Sequence, residues 1–367
     1  ITEATTRRDL HTYDFRFDDP DCRADFTPER YAEFQQDIID SGFYEAVMRD
    51  KGANMTPSLI AISQMLIESG LATLQNAWLF DVVAMVIGIG FLAWSVGWQK
   101  TGYALLFLFT FYGTQDRLFG HFVQWIWLAA VLIGVSLIYR KHHSGGFFIG
   151  IASGLMIFPA VLMLKYWRCK SVIAWFVAGL LITLFAGLFN TRGVTGYTDF
   201  LYNMQLHSSY IQTELCCNIG LKHTATWAAN GTLDYRNCFG SHTDCDTSYS
   251  PALPAQWMLL LPFVLTSPFG FMFGLLTLSR YYYLILIVIP VWYPEKWSRR
   301  LLMVNALILA WMIFDNLSGF ILSHWLWYFF LMWLGANNAK KVAQNVMAYC
   351  QQRLHPEAAT RHVRDSI

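Results

Sequence analysis

Charge is what this sequence has least of. Only 14% of its 367 residues are charged, whereas 55% are hydrophobic and 17% aromatic; a soluble globular chain carries roughly 25% charged residues. That balance excludes the disordered, collagen and coiled-coil classes. With a net charge of +1 and no basic stripe, it also argues against a nucleic-acid partner. The signatures of soluble enzymes are missing as well: no GxSxG, HExxH, P-loop or GxGxxG occurs in a context that would use it. No internal repeat of hydropathy halves suggests a secondary transporter. What the composition does specify is an all-α, polytopic integral membrane protein.

The scarce charge is unevenly placed. Residues 1–57 hold 13 of the 25 acidic residues against 7 Lys and Arg, and residues 191–255 hold 5 acidic residues, 3 Lys and Arg, and four of the seven cysteines. Between them lie apolar runs at 77–98, 101–112, 121–139, 145–164 and 171–190, and after them runs at 256–279, 281–293, 301–321 and 322–334. Since about 20 residues cross a hydrocarbon core, roughly eight to ten membrane segments fit, several too short to cross unaided. The chain therefore divides into an acidic segment (1–57), an amphipathic interfacial helix (58–76) started by Thr56-Pro57, a first bundle (77–190), a cysteine-containing loop (191–255), a second bundle (256–334) and a tail (335–367).

Orientation follows from Lys and Arg in short loops. Lys100, Arg140-Lys141, Lys165/Arg168/Lys170, Lys296/Arg299/Arg300 and Lys340-Lys341 all fall on the cytoplasmic side on one condition. Segment 145–164 must enter and return, turning at Phe158-Pro159, rather than cross once. Proline removes a donor and disfavours helix before it, and irregular backbone at depth is tolerated only inside protein or beside a wet cavity. A cavity near Phe158 and Pro159 is thus expected. The same assignment puts 1–57 and 191–255 outside and the tail in the cytoplasm. In an oxidising compartment Cys22, Cys216, Cys217, Cys238 and Cys245 are candidates for disulfides of undetermined pairing. Because the chain begins with Ile1 rather than Met, a missing first helix or a processed end is expected before it.

The densest polar stretch runs from Thr12 to Arg23 and holds Asp14, Asp18, Asp19 and Asp21. Such carboxylates bind a divalent cation, serve as a general base, or simply form a solvated acidic turn. Asp81 lies at the outer end of its run. Gln115-Asp116-Arg117 and His121 sit at the expected cavity mouth, and Arg280 precedes Tyr281-Tyr282-Tyr283 between two apolar runs. A guanidinium there would suit a phosphate, though a salt bridge or a snorkelling side chain would account for it equally. His207, Lys222 and His223 could read an anion or be plain surface residues. Asp315-Asn316 and His324 line a pocket or bond neighbouring helices.

Three stretches resemble the GT-C-type integral-membrane glycosyltransferases, especially the polyprenyl-phosphate-sugar-dependent mannosyl and arabinosyl transferases of bacteria. They are the glycine-started helix from Gly145 ending at Phe158-Pro159, the run Leu278-Ser-Arg-Tyr-Tyr-Tyr through Pro290, and Gly120-His-Phe-Val-Gln-Trp-Ile-Trp127. The resemblance implies a bacterial inner or plasma membrane location and a lipid-phosphate-linked sugar donor meeting its acceptor in an outward-facing cavity. It also implies inversion by an Asp base of the first outer loop, sometimes with a divalent cation such as Mg or Mn. By position that base is one of Asp14, Asp18, Asp19 or Asp21. Arg117 and Arg280 would then face the donor phosphate with His207 or Lys222 closing the site, and His121, Gln124, Phe158, Pro159, Tyr281 and Tyr282 would line the cavity. Two departures stand out. Met156 and Ile157 occupy the place of a basic residue, and Gln124 and Ile126 stand where charge would sit. They support the alternative of a non-catalytic accessory subunit packed in a larger membrane complex through the aromatic faces of 121–128 and 324–333.

Overall fold

The computed structural model describes residues 7–8, 15–16, 27–29, 32, 56–71, 76, 78–111, 125–190, 193–209, 269, 280–314, 323, 326–327, 329–340 and 344. Apart from a two-residue antiparallel pairing of β1 (Arg7–Arg8) with β2 (Phe15–Arg16), the described elements are helices. They are α1 (Pro57–Glu68), α2 (Trp78–Val96), α3 (Trp98–Thr110), α4 (Ile126–Tyr139), α5 (Gly145–Leu155), α6 (Lys170–Ala186), α7 (Val194–Ser209), α8 (Ile289–Trp292) and α9 (Glu295–Phe314), with 3-10 helices at Phe158–Lys165, Gly187–Phe189 and Arg280–Val288. Residues 329–340 are helical as well.

Three of these are long and apolar enough to cross a membrane: Trp78–Val96, Lys170–Phe189 and Glu295–Phe314, with mean hydropathies of 2.1, 2.4 and 1.3. At 1.5 Å per residue such helices reach about 30 Å, the thickness of a hydrocarbon core. Their outward faces carry Val86, Leu181, Phe185 and Ile313 in exposed positions. Exposed apolar faces on this scale belong on a surface that water does not wet. The apolar helices at 57–68, 126–139 and 145–155 are shorter.

Helix directions can be read from the contacts. Asp81 reaches Trp125 at the start of α4 and Arg140 reaches Trp94 near the end of α2, so α2 and α4 run parallel. Gly97, at φ 83°, makes the tight turn into α3 at a conformation glycine adopts without steric cost. Tyr103 bonds Glu295 and Thr110 bonds Asn305, so α3 and α9 are parallel too. The indole of Trp327 packs on α3 and on the 3-10 helix Arg280–Val288, with ring contacts to Phe107, Phe111 and Tyr283 at 6.3, 6.1 and 5.4 Å. Edge-on and tilted aromatic pairs at these distances add to the apolar burial.

The pairing of α5 with α6 decides the topology. A Cβ built at Gly146 would collide with the Val172 carbonyl, one at Gly150 with the Phe176 carbonyl, and one at Gly154 with Thr183. Both helices advance together, so they are parallel, and backbone touches backbone where small residues recur every four positions. A chain that leaves α5 at Leu155 and starts a parallel neighbour at Lys170 must travel back. The 3-10 helix Phe158–Lys165 does this: its eight residues span about 16 Å, matching the roughly 16 Å of the eleven-residue α5. Segment 145–165 therefore enters and returns, broken at Met156 (ψ 116°) just before Phe158-Pro159.

Candidate functional site

The returning hairpin joins two chemically different ends of the bundle. At one end meet the loop after α2, the loop between α4 and α5, the end of the return limb and the start of α9. Lys100, Arg140, Lys141, Lys165, Arg168, Lys170, Lys296, Arg299 and Arg300 all belong to these connections. Aromatic rings receive the cations. Lys165 Nζ lies 4.2 Å from the Trp292 ring and 5.6 Å from that of Tyr293. Arg140 lies over Trp94 at 5.1 Å, and Arg300 over Trp333 at 3.5 Å and Trp297 at 4.8 Å. The quadrupole of each ring attracts the charge above it. Packing around the end of the return limb pulls the Lys165 ammonium down to about 7, and burial pushes the Tyr166 hydroxyl up to about 12. Each shift disfavours the charged form of its group. Glu295 is the carboxylate among the described residues of this end. It accepts from Arg299 at 2.6 Å, Tyr103 at 2.9 Å and Gln99 at 3.2 Å.

The opposite end is built mainly from hydroxyl and amide donors and backbone carbonyls, with one buried carboxylate. Thr56 Oγ1 donates to the Leu155 carbonyl at 2.9 Å and accepts the Leu59 N–H at 3.3 Å. One hydroxyl thus caps the start of α1 and satisfies a carbonyl left open where α5 stops. Tyr197 Oη donates to the Leu184 carbonyl at 2.6 Å and shares a hydrogen bond with Ser58 Oγ at 3.1 Å. Asn190 Nδ2 donates to the carbonyls of Gly187 and Gly193. Asp81, buried, accepts the Trp125 N–H at 2.9 Å at the head of α4. Helix α1 buries Pro57, Ser58, Leu59 and Ala61 against this end and leaves Met65 and Ile67 exposed.

Of the residues singled out in the sequence, Phe158 and Pro159 are buried at the start of the return limb, and the Phe158 ring meets Trp127 edge-on at 4.7 Å. Arg280, Tyr281 and Tyr282 open the second long 3-10 helix, whose following residues, Tyr283 to Val288, are almost completely buried. Such long 3-10 stretches are uncommon and often mark strained or functional segments. His207 lies on α7. Asp14, Asp18, Asp19, Asp21, Arg117, His121, Gln124 and Lys222 lie outside the described residues, as do Cys22, Cys216, Cys217, Cys238 and Cys245. Cys169, which is described, is a free thiol. Among the described residues no three His, Cys, Asp or Glu side chains gather.

Sequence reasoning treated Lys165 only as a marker of sidedness and left its aromatic slot unseen. Nothing local links Lys165 to Trp292, or Thr56 to Leu155; only the packing of distant elements brings each pair together. The chain matches no protein-family model, no curated protein and no solved structure.

Proposed function

We propose that this chain is an integral membrane protein with its basic end in the cytoplasm, and that it acts as a GT-C-type glycosyltransferase on the opposite face. The observation that carries this reading is the enter-and-return hairpin 145–165. Its limbs are each too short to cross, and its return is a 3-10 helix packed inside the bundle. Irregular backbone at that depth belongs beside protein or a cavity, and among the described residues the hairpin is accompanied by basic connections gathered at one end, which supports sidedness by Lys and Arg. In the reaction, an acceptor hydroxyl attacks the anomeric carbon of a polyprenyl-phosphate-linked sugar while an Asp among Asp14, Asp18, Asp19 and Asp21 takes the hydroxyl proton. The bond from the anomeric carbon to the phosphate oxygen breaks, the lipid phosphate leaves, and the configuration inverts. Arg117 and Arg280 suit that leaving phosphate because a guanidinium meets two of its oxygens at once, with Lys222 and His207 as further donors. A divalent cation such as Mg or Mn would add charge at the same place.

The test is sugar transfer in proteoliposomes from radiolabelled polyprenyl-phosphate-mannose or -arabinose. The expected result is transfer by the unaltered chain and a loss on the order of a hundredfold or more for one of Asp14→Asn, Asp18→Asn, Asp19→Asn or Asp21→Asn. If a variant carrying all four changes still transfers sugar, the base assignment is wrong. A second reading, an accessory subunit, draws on the uncharged hairpin tip, where Met156 and Ile157 replace the charge the resemblance calls for. Absence of transfer together with purification only inside a stable larger complex would favour it.

A further inference from the structure

One face of α2 carries an apolar groove that the hairpin and its two ends do not use. The half nearer the basic end is lined by Ile87, Gly90, Phe91 and Trp94 and encloses about 460 Å³. A second hollow of about 460 Å³ shares Ile87 and continues to Leu79. Gly90 leaves the floor open, because a Cβ built there meets nothing within 4 Å. Phe91 and Trp94 stand beside it edge to face at 6.0 Å.

The end of this groove is cationic. Arg140 stacks over Trp94 while one of its N–H groups donates to the Trp94 carbonyl at 2.5 Å. His142 stacks on the same indole at 6.4 Å, and Lys141 is exposed beside it. Among the described residues the ion pair at this end is Arg299 with Glu295, and Arg140 and Lys141 have no carboxylate partner. The dimensions fit a lipid. From Ala84 to Trp94 the helix rises about 15 Å, half the ~30 Å hydrocarbon thickness and so the depth of one leaflet.

We propose that this groove binds one anionic phospholipid of the leaflet at the basic end, its phosphate on Arg140 and Lys141 and an acyl chain laid over Gly90 between Ile87 and Trp94. The guanidinium keeps donors free after its bond to Trp94 and presents them to phosphate oxygens. Trp94 belongs at headgroup depth, where its amphipathic ring is stable. A zwitterionic lipid offers the same chain but no net charge, so the cations select the anionic one. The site rests on the reading that the chain spans a membrane. It is separate from the proposed sugar-transfer site, which lies on the other face.

The test uses the full chain in phosphatidylcholine vesicles containing a trace of phosphatidylglycerol or phosphatidylcholine with a photoreactive acyl chain. Resistance to alkaline carbonate extraction is checked first; a chain that leaves the bilayer overturns the membrane reading itself. For an inserted chain, phosphatidylglycerol is expected to label the 78–96 peptide at least roughly fivefold more than phosphatidylcholine. Arg140→Gln combined with Lys141→Gln brings that ratio to one. Gly90→Leu, whose Cβ meets nothing within 4 Å and whose longer side chain occupies the floor of the groove, lowers labelling of the peptide by both lipids while the melting temperature stays put. Equal labelling by both lipids in the unaltered chain, meaning annular contact only, overturns the site. A phosphatidylglycerol preference that survives both variants overturns it too.

Discussion

The two ends of the bundle solve the same problem with different chemistry. Each must terminate several helices and satisfy backbone groups that have lost their intrahelical partners. The basic end does this among cations, with Arg140 on the Trp94 carbonyl and Lys165, Arg140 and Arg300 laid over Trp and Tyr rings. At the opposite end, hydroxyls and amides serve instead, with Thr56, Tyr197 and Asn190 on carbonyls and Asp81 on an N–H. Cations over exposed aromatic rims tolerate an interface where phosphates and water compete. Where such a hydroxyl-to-carbonyl bond is buried, as between Thr56 and Leu155, low local dielectric strengthens it and makes its loss costly. The difference teaches which end has its shape set by solvent and which by packing.

The sharpest way to break this comparison is to attack the hairpin that connects the ends. Gly150→Leu drives a side chain into the Phe176 carbonyl of α6. It is expected to cost about 3 kcal/mol or more, read as loss of monodisperse protein in size-exclusion chromatography. Gly90→Leu, facing open space, is the matched control and should stay within about 0.5 kcal/mol. Next comes Thr56→Val, which removes both the cap of α1 and the donor to Leu155. About 1–2 kcal/mol of stability should go, seen as a lower melting temperature and faster proteolysis after Glu68. Asp81→Ala, which leaves the buried Trp125 N–H without this acceptor, should cost about 1–2 kcal/mol in the same assay. If Thr56→Val and Asp81→Ala cost no more than Arg140→Gln, which removes the donor to the Trp94 carbonyl at the basic end, the two ends do not differ in this way.

The smallest effect is expected at Lys165, because the residue keeps more than a third of its surface exposed and solvent screens most of the stability its titration would otherwise carry. Its pKa is lowered from 10.5 to about 7 by burial, so between about 7 and 10.5 the unfolded chain holds a proton that the folded one has released. Stability therefore rises with pH across that window and is independent of this group below it. The melting temperature of the unaltered chain, relative to Lys165→Met, should climb modestly from pH 7 to pH 10. A flat difference would mean that the Trp292 and Tyr293 faces hold the ammonium charged.

Much of the architecture was legible because apolar run length and proline position are local signals. The runs at 77–98 and 171–190 correspond to α2 and α6, the short run at 101–112 to α3, and the break at Phe158-Pro159 to the end of α5. Thr56-Pro57 marked the start of α1, where a hydroxyl cap and a proline at the first helical position act on their own neighbours. The candidate site was legible only as residue types. Phe158 was singled out for the kink it causes, but its contact with Trp127 depends on two helices meeting. Lys165 showed its charge in the sequence and hid its aromatic partners, which lie more than a hundred residues away.

By itself, then, the amino-acid order determined that this chain is helical, that several of its segments are too apolar for water, and that its charges sort by loop. Those properties follow from hydropathy and backbone preference summed over neighbouring residues. The charge pattern already called for the return of segment 145–164; only the tertiary structure decided that α5 and α6 lie backbone to backbone, because that requires glycines of two helices to let their backbones touch. With that packing go the gathering of the described cations at one end and, at the other, a network of hydroxyls, amides and the Asp81 carboxylate.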